Sequence, residues 1–234
     1  MQKIIKSDEK VVFTTNMSLS LANALRRSAN EIPILAIDEV DIYKNDSALY
    51  DEVLAHRMAL VPIKNQKTKE GEFVEMKFKV EAAGQPIYVL SEELGDDVAY
   101  KEIPLVLLDK DQELEAVARA RQGKAIEHSK FSPGLVYYRA LNKIEIGKAA
   151  EKRSDLAEIY PKVFSFDGKL KVENDWAFDL EVEDLGEFDG IKLIPTDEIV
   201  FFIESWGQIS AEEILEGAVK ALNKNLDEVS KALK

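Results

Sequence analysis

The 234-residue chain contains no cysteine, and that one absence excludes disulfides, thiolate metal sites, iron–sulfur ligation by cysteine and cysteine nucleophiles together. Imidazoles are nearly as scarce, with His56 and His128 the two in the chain. No run approaches the roughly 20 consecutive apolar residues that a membrane-spanning helix needs. Met1-Gln-Lys-Ile-Ile-Lys6 has no apolar stretch behind its charges of the kind a secretory signal carries, so a cytoplasmic protein without membrane contact is expected. Nucleotide-binding loops are missing too: Gly123-Lys124 and Gly147-Lys148 lack the preceding glycine spacing and the following Ser or Thr. Neither a nucleophile elbow nor a metalloprotease helix occurs. Positive charge is in deficit, with 31 Lys and Arg against 44 Asp and Glu, a formal net charge of −13. A surface of that sign does not grip phosphates, so no direct nucleic-acid binding is expected. The carboxylate pairs Glu92-Glu93, Asp96-Asp97 and Glu212-Glu213 fall in loop-like or helix-start stretches, where solvated charge explains them.

What the chain does have is 46% apolar and 32% charged residues, enough for one large domain or two modest ones. Leu21, Ala22, Leu25 and Ala29 are spaced to line one face of a short helix that Ser18 or Ser20 can cap. Pro33 ends that helix and pushes Ile32 into an extended conformation, leading to a strand over Ile34–Ile42. Arg26 and Arg27 flank the stripe, as solvated charges or as an anchor for a carboxylate-bearing partner. A hairpin is predicted over Lys3–Thr15, and a second short helix over Leu49–Pro62 with Val53, Leu54 and Arg57 on one face. From Phe73 the pattern turns β-rich: Val74, Met76, Phe78 and Val80 alternate with Glu75, Lys77 and Lys79. Strands are predicted at Pro86–Leu90 and Pro104–Leu108 as well. Glu113–Arg121 combines strong helix formers with strict alternation of Leu114, Ala116, Ala118 and Ala120, and period is given precedence over propensity. Farther on, Asp167-Gly168 is suited to a two-residue I′ turn between Val163–Phe166 and Lys169–Val172.

The carboxy-terminal stretch is the most periodic. Glu198–Gly207 reads as a buried strand, and Ser210 with Glu213 forms a capping box, across which Ile209 and Ile214 can make a hydrophobic staple. Leu215, Val219, Leu222, Leu226, Val229 and Leu233 follow at spacings of 4, 3, 4, 3 and 4, an a/d seam. A helix from Ala211 to Leu233 spans roughly 35 Å. Full burial of six aliphatic anchors is worth on the order of 10 kcal/mol gross, so the seam should have something to pack against.

The series Leu21-Ala-Asn-Ala-Leu-Arg-Arg27, Glu31-Ile-Pro33 with Ala36-Ile-Asp38, Asp51-Glu52 with Ala55-His-Arg57, and Leu60-Val-Pro62 resembles the α-like subunits of multisubunit RNA polymerases, most nearly their archaeal D branch. The third-largest eukaryotic subunit and the amino-terminal domain of bacterial α belong to the same family. Gly123-Lys-Ala-Ile-Glu-His-Ser-Lys-Phe-Ser-Pro133 is similar to a turn that follows a strand in that family. The resemblance implies an α+β fold. Its discontinuous dimerisation domain (1–44 plus 196–234) would receive an inserted β-rich domain (45–146 plus 191–195) that carries a ferredoxin-like or remnant insertion at 147–190. In many archaeal relatives that insertion holds an iron–sulfur cluster, but Tyr160 stands where a ligand cysteine would precede Pro161, so no cofactor is expected.

The resemblance further implies a non-catalytic assembly subunit whose large partners supply the carboxylates for nucleotidyl transfer. The heterodimer interface with the smaller α-like subunit L would use Leu21, Ala22, Leu25, Ala29, Leu215, Val219, Leu222, Leu226, Val229 and Leu233. Contacts are implied with small subunits N and P and with the second-largest subunit, for which Arg26, Arg27, His56 and Arg57 are candidates. Two other readings compete: a stand-alone enzyme using His56 or His128, and a scaffold whose seam pairs with its own copy.

Overall fold

Turn chemistry and capping decide the elements at the amino terminus. The computed structural model describes residues 2–69, 71–178 and 190–233. Strands β1 (Gln2–Lys6) and β2 (Lys10–Thr15) are joined by a turn in which Ser7 Oγ accepts from the Lys10 amide at 3.0 Å. Helix α1 (Leu19–Ser28) begins where Ser18 Oγ accepts from the Leu21 amide at 3.3 Å. It tightens into a single 3₁₀ turn, Ala29–Glu31, and stops at Ile32, whose φ of −69° and ψ of 126° are the extended values that a following proline enforces. Strand β3 (Ile34–Asn45) then runs three residues beyond the predicted end. Helix α2 (Asp51–Ala59) buries Leu54 and Met58, one turn apart. Of the predicted face of Val53, Leu54 and Arg57, Leu54 is buried, whereas Val53 is 43% exposed and Arg57 is exposed.

The remaining elements are β4 (Val74–Glu81), β5 (Ile87–Leu90), β6 (Pro104–Leu108), β7 (Glu113–Gly123), β8 (Gly134–Ile146), α3 (Ser154–Ile159), β9 (Phe164–Phe166), β10 (Leu170–Val172), β11 (Ile191–Ser205) and α4 (Ala211–Ala232). They divide between two compact units. One comprises Met1–Ile5, Val12–Ala22 and Tyr137–Phe202; the other comprises Lys6–Val11, Asn23–Val136 and Ile203–Lys234.

The first unit is built on a sheet of order β1-β2-β11-β8, where Phe13 stacks on Phe201 at 5.3 Å and Tyr137 on Phe202 at 4.6 Å between ring centroids. A separate small core gathers Leu156 of α3 with Val163, Phe164, Leu170 and Phe178. Strands β9 and β10 pair antiparallel with Phe166 opposite Leu170, which leaves Asp167, Gly168 and Lys169 in the loop; Gly168 takes a left-handed φ of +71° but Asp167 does not, so the turn is not the predicted two-residue I′ type, which needs both. Residues 179–189 of the expected insertion lie outside the described residues.

The second unit centres on an antiparallel sheet of order β3-β7-β4. Here tertiary burial overrides helix propensity: Leu114, Ala116, Ala118 and Ala120 of β7 are at most 1% exposed and share a core with Leu54, Met58, Met76 and Phe78. The small alanines leave room on the β7 face for these larger neighbours. The β5–β6 hairpin adds Val89, Leu105 and Leu108 to the same core.

Gly134, at the start of β8, lies so close to the main chain of β11 that a side chain there would overlap the Glu204 carbonyl oxygen and press on Ile214 Cδ1 at 3.0 Å. Backbone cannot yield as a side-chain tip can. Gly134→Ala should therefore cost on the order of 3 kcal/mol, a fall of roughly 8 °C in the melting midpoint for a chain of this size. Differential scanning fluorimetry of the two proteins measures it, and an unchanged midpoint would contradict the close approach.

Candidate functional site

Helix α4 is fixed at its start by a complete capping box. Ser210 Oγ accepts from the Glu213 amide at 3.2 Å, and Glu213 Oε2 accepts from the Ser210 amide at 2.8 Å. Those bonds to the Ser210 main chain and hydroxyl hold the Glu213 carboxyl below the usual range. The helix then presents two faces. Ala211, Ile214 and Ala218 are buried. At Gly217 the helix comes so near the 3₁₀ turn that a Cβ would sit 2.8 Å from Ile32 Cδ1. Farther along, Asn225 Nδ2 donates to Glu31 Oε1 at 2.8 Å.

The predicted seam lies roughly a third of a turn around the helix from this inward face. Leu215 and Leu222 are half-buried, whereas Val219, Leu226, Val229 and Leu233 are 40%, 59%, 57% and 83% exposed. A sustained aliphatic row thus faces solvent on a well-capped helix. On α1 the picture is different: Ala22, Leu25 and Ala29 are buried within the chain, and Leu21 is open at 45%. Leu19, on another face of the helix and absent from the sequence reading, is more open still.

Among the candidate cations, Arg26 is folded onto its own helix, with Nε and Nη2 donating to Asn23 Oδ1 at 3.2 and 3.0 Å. Arg27 is exposed. Arg57 is spent on architecture, since its Nε donates to the Leu105 carbonyl at 2.7 Å and its Nη2 to the Pro104 carbonyl at 2.6 Å, which ties α2 to β6. His56 next to it is exposed. His128 caps a turn, accepting at Nδ1 from the Lys130 amide at 3.1 Å. Among the described residues no group of three or more His, Asp or Glu side chains could hold a metal ion.

Sequence reasoning missed the node that fixes the Gly123–Pro133 block. Asp38 of β3 accepts from Arg121 Nε at 2.7 Å and from Lys130 Nζ at 2.5 Å. Both cations also sit over the Phe131 ring, at 5.0 and 5.1 Å from its centroid, and the ring presses on Gly123, where a Cβ would be 2.6 Å away. Burial alone would raise the Asp38 carboxyl; the hydrogen bonds and charges of Lys130 and Arg121 outweigh it and hold the group below the usual carboxylate range. At the adjoining corner, Asn65 Oδ1 accepts from the Leu35 amide at 2.9 Å while its Nδ2 donates to the Pro33 carbonyl at 3.1 Å. One side chain therefore satisfies both main-chain groups around Pro33. The partners lie 83 and 92 residues from Asp38 and 30 from Leu35 in sequence, so no local spacing announces them.

In the stretch expected to form an insertion, aromatic rings pack against one another. Tyr160 packs edge-on against Phe178 at 5.5 Å, and Phe164 does the same at 5.9 Å. With no cysteine in the sequence to supply thiolates, the residues present do not fit a thiolate-held iron–sulfur cluster.

The model of the RNA polymerase Rpb3/Rpb11 dimerisation domain matches residues 12–226. The chain is similar to the DNA-directed RNA polymerase subunit Rpo3 of Pyrococcus horikoshii, at 31% identity over 244 aligned positions covering 95% of this chain and 93% of that protein. Rpo3 of Thermococcus kodakarensis is 32% identical over 241 positions (95% and 92%), and Rpo3 of Archaeoglobus fulgidus 31% over 251 (97% and 95%).

Proposed function

Because the chain belongs to the RNA polymerase Rpb3/Rpb11 dimerisation family, we propose that it is the assembly platform of an archaeal-type DNA-directed RNA polymerase, pairing through α4 with the smaller α-like subunit L. The observation that carries this reading is the solvent-facing row Val219, Leu226, Val229 and Leu233 on a helix whose other face is already satisfied by its own chain. Leaving that row in water forfeits burial worth about 1.5–3 kcal/mol per aliphatic side chain. The mechanism is association: two incomplete apolar surfaces become one core, and stability then depends on partner concentration. On this reading the subunit performs no nucleotidyl transfer itself, and residues 1–44 and 196–234 together supply the dimerisation domain. The inserted domain, including a cluster-free insertion, and the Arg26/Arg27 region dock subunits N and P and the second-largest subunit. Arg27, His56 and Arg57 are the exposed groups among the candidates for that docking, and Arg57 is already bonded to β6.

Co-expression with subunit L from the same source, followed by light scattering of the purified product, tests the assignment. A one-to-one complex supports it. A stable monomer indifferent to subunit L overturns it, and self-pairing to the exclusion of subunit L favours the scaffold reading. No helix among the described residues is long and apolar enough to cross a membrane.

A further inference from the structure

The sheet of the first unit carries a cleft of about 460 Å³ to which each of its strands contributes: Ile4 from β1, Thr14 from β2, Glu198 from β11 and Leu141 from β8. The segment after β10 adds Glu173, Asp175 and Trp176. The indole is held in place, because Trp176 Nε1 donates to Asn174 Oδ1 at 3.2 Å while Asn174 Nδ2 donates to the Lys162 carbonyl at 2.8 Å.

Two observations set this cleft apart from an ordinary solvated acidic surface. No basic residue lines it, and among the described residues no Lys or Arg forms an ion pair with Glu173, Asp175 or Glu198. Glu173 accepts from the Ser165 hydroxyl and Asp175 Oδ1 from the Ile144 amide at 3.1 Å, neutral donors that leave both charges uncompensated. The second observation is Thr14, which is 9% exposed although its hydroxyl has no hydrogen-bond partner among the described residues. Alternation along β2 puts Thr14 on the face of Val12, whose core includes Ile4, Leu141 and Trp176, so the hydroxyl is directed into the cleft. A nearly buried hydroxyl without a partner is costly, and a donor entering the cleft relieves that cost.

We propose that this cleft binds a short aliphatic polyamine, a small molecule whose ammonium groups are spaced by methylenes. Among the described residues no group of three or more carboxylates is gathered closely enough to hold a metal ion, so the negative charge is spread along the cleft and matches a cation that is spread as well. Ile4, Leu141 and Trp176 offer apolar surface to the methylenes, and the indole face attracts an ammonium. Thr14 Oγ1 accepts from one ammonium N–H, the bond it lacks in the free chain. A single lysine side chain of a partner protein would bring one charge to three carboxylates. None of these residues belongs to α4, so the proposal stands apart from the dimerisation reading.

Isothermal titration calorimetry of the full chain with spermidine at low salt tests it, with an acetylated, amidated trilysine peptide of equal charge as the competing probe. Saturable one-to-one binding of spermidine is expected. Glu173→Gln/Glu198→Gln should weaken it on the order of tenfold. Thr14→Val, which keeps the shape of the side chain, should weaken it about threefold or more. The threonine variant changes no charge, so it separates a built site from loose attraction to an acidic surface. Its melting midpoint should not fall, because the hydroxyl has no bond to lose. Glu93→Gln removes an exposed carboxylate of the second unit and should leave binding unchanged. Absence of spermidine binding, or an affinity indifferent to Thr14→Val, overturns the proposal. Tighter binding of trilysine than of spermidine overturns it too, by making the cleft a docking place for a basic protein segment.

Discussion

Leu226→Asp should abolish co-purification of the chain with subunit L while leaving its own melting midpoint unchanged, and Val229→Asp should do the same. Both side chains are more than half exposed in the chain alone, so replacing them removes almost nothing from the monomer's core. In the complex each would forfeit about 1.5–3 kcal/mol of apolar burial and would bring a carboxylate out of water against an aliphatic surface. Even at the low end the combined penalty is about 3 kcal/mol, a loss of more than roughly a hundredfold in affinity. The control is a residue on the inward face: Ile214→Asp should unfold the chain instead, because Ile214 is fully buried. Leu25 behaves as Ile214 does, being 8% exposed, and would report on folding and not on pairing. Pull-down with tagged subunit L, together with a melting curve of each variant alone, gives both readings. Retained pairing in Leu226→Asp would remove the seam from the interface.

Asp38→Asn is expected to destabilise the monomer strongly without touching the seam. The Lys130 side chain is only 10% exposed and Arg121 34%, and Asp38 is a shared partner of both. Asparagine keeps the shape but withdraws the charge, leaving Lys130 nearly buried beside Phe131. Breaking such a pair by removing one partner costs about 3 kcal/mol at neutral pH, the lower end of the range because Asp38 and Arg121 retain some contact with water. The pH dependence has a definite sign. The folded-state pKa of Asp38 is held below its unfolded value near 3.9, so its contribution is fully present above that value and is lost as pH falls through the folded pKa. The stability gap between wild type and Asp38→Asn should therefore narrow below about pH 4. Urea denaturation at neutral pH and near pH 3 measures it, and a gap of the same size at both would show that the carboxylate charge is not what holds Lys130.

Much of the fold was legible because local patterns and burial agree. The stop at Pro33 and the capping box at Ser210 rest on chemistry confined to a few neighbouring residues, and each is where the sequence places it. In β7, alternation outweighed propensity for a reason visible only in three dimensions: the alternating alanines are buried in one core with Leu54 and Met58. The heptad row of α4 was legible too, but its partner face was not. Ala211, Gly217 and Ala218 are small residues that carry little periodic signal, yet they mark the side that approaches the chain itself. Small residues at a close contact read as background in sequence, while large ones awaiting a partner read as core. Ala22, Leu25 and Ala29 show the same difficulty from the other side, since a helical stripe does not say whether its own chain or another covers it. The Asp38 node and the Asn65 bridge were invisible because their partners are distant in sequence.

The Asn225–Glu31 hydrogen bond has a consequence for how the end of α4 behaves in time. Beyond it, every described residue from Leu226 to Leu233 is exposed, about two turns of helix with no apolar cover. Such a segment lacks the tertiary packing from which most helical stability derives, so in the isolated chain its amides should exchange with solvent far faster than those near the capped start. Engagement of the seam would then order these turns as it covers them. Deuterium uptake over residues 226–233 becomes a gauge of occupancy, high when the chain is alone and suppressed in proportion to the fraction bound.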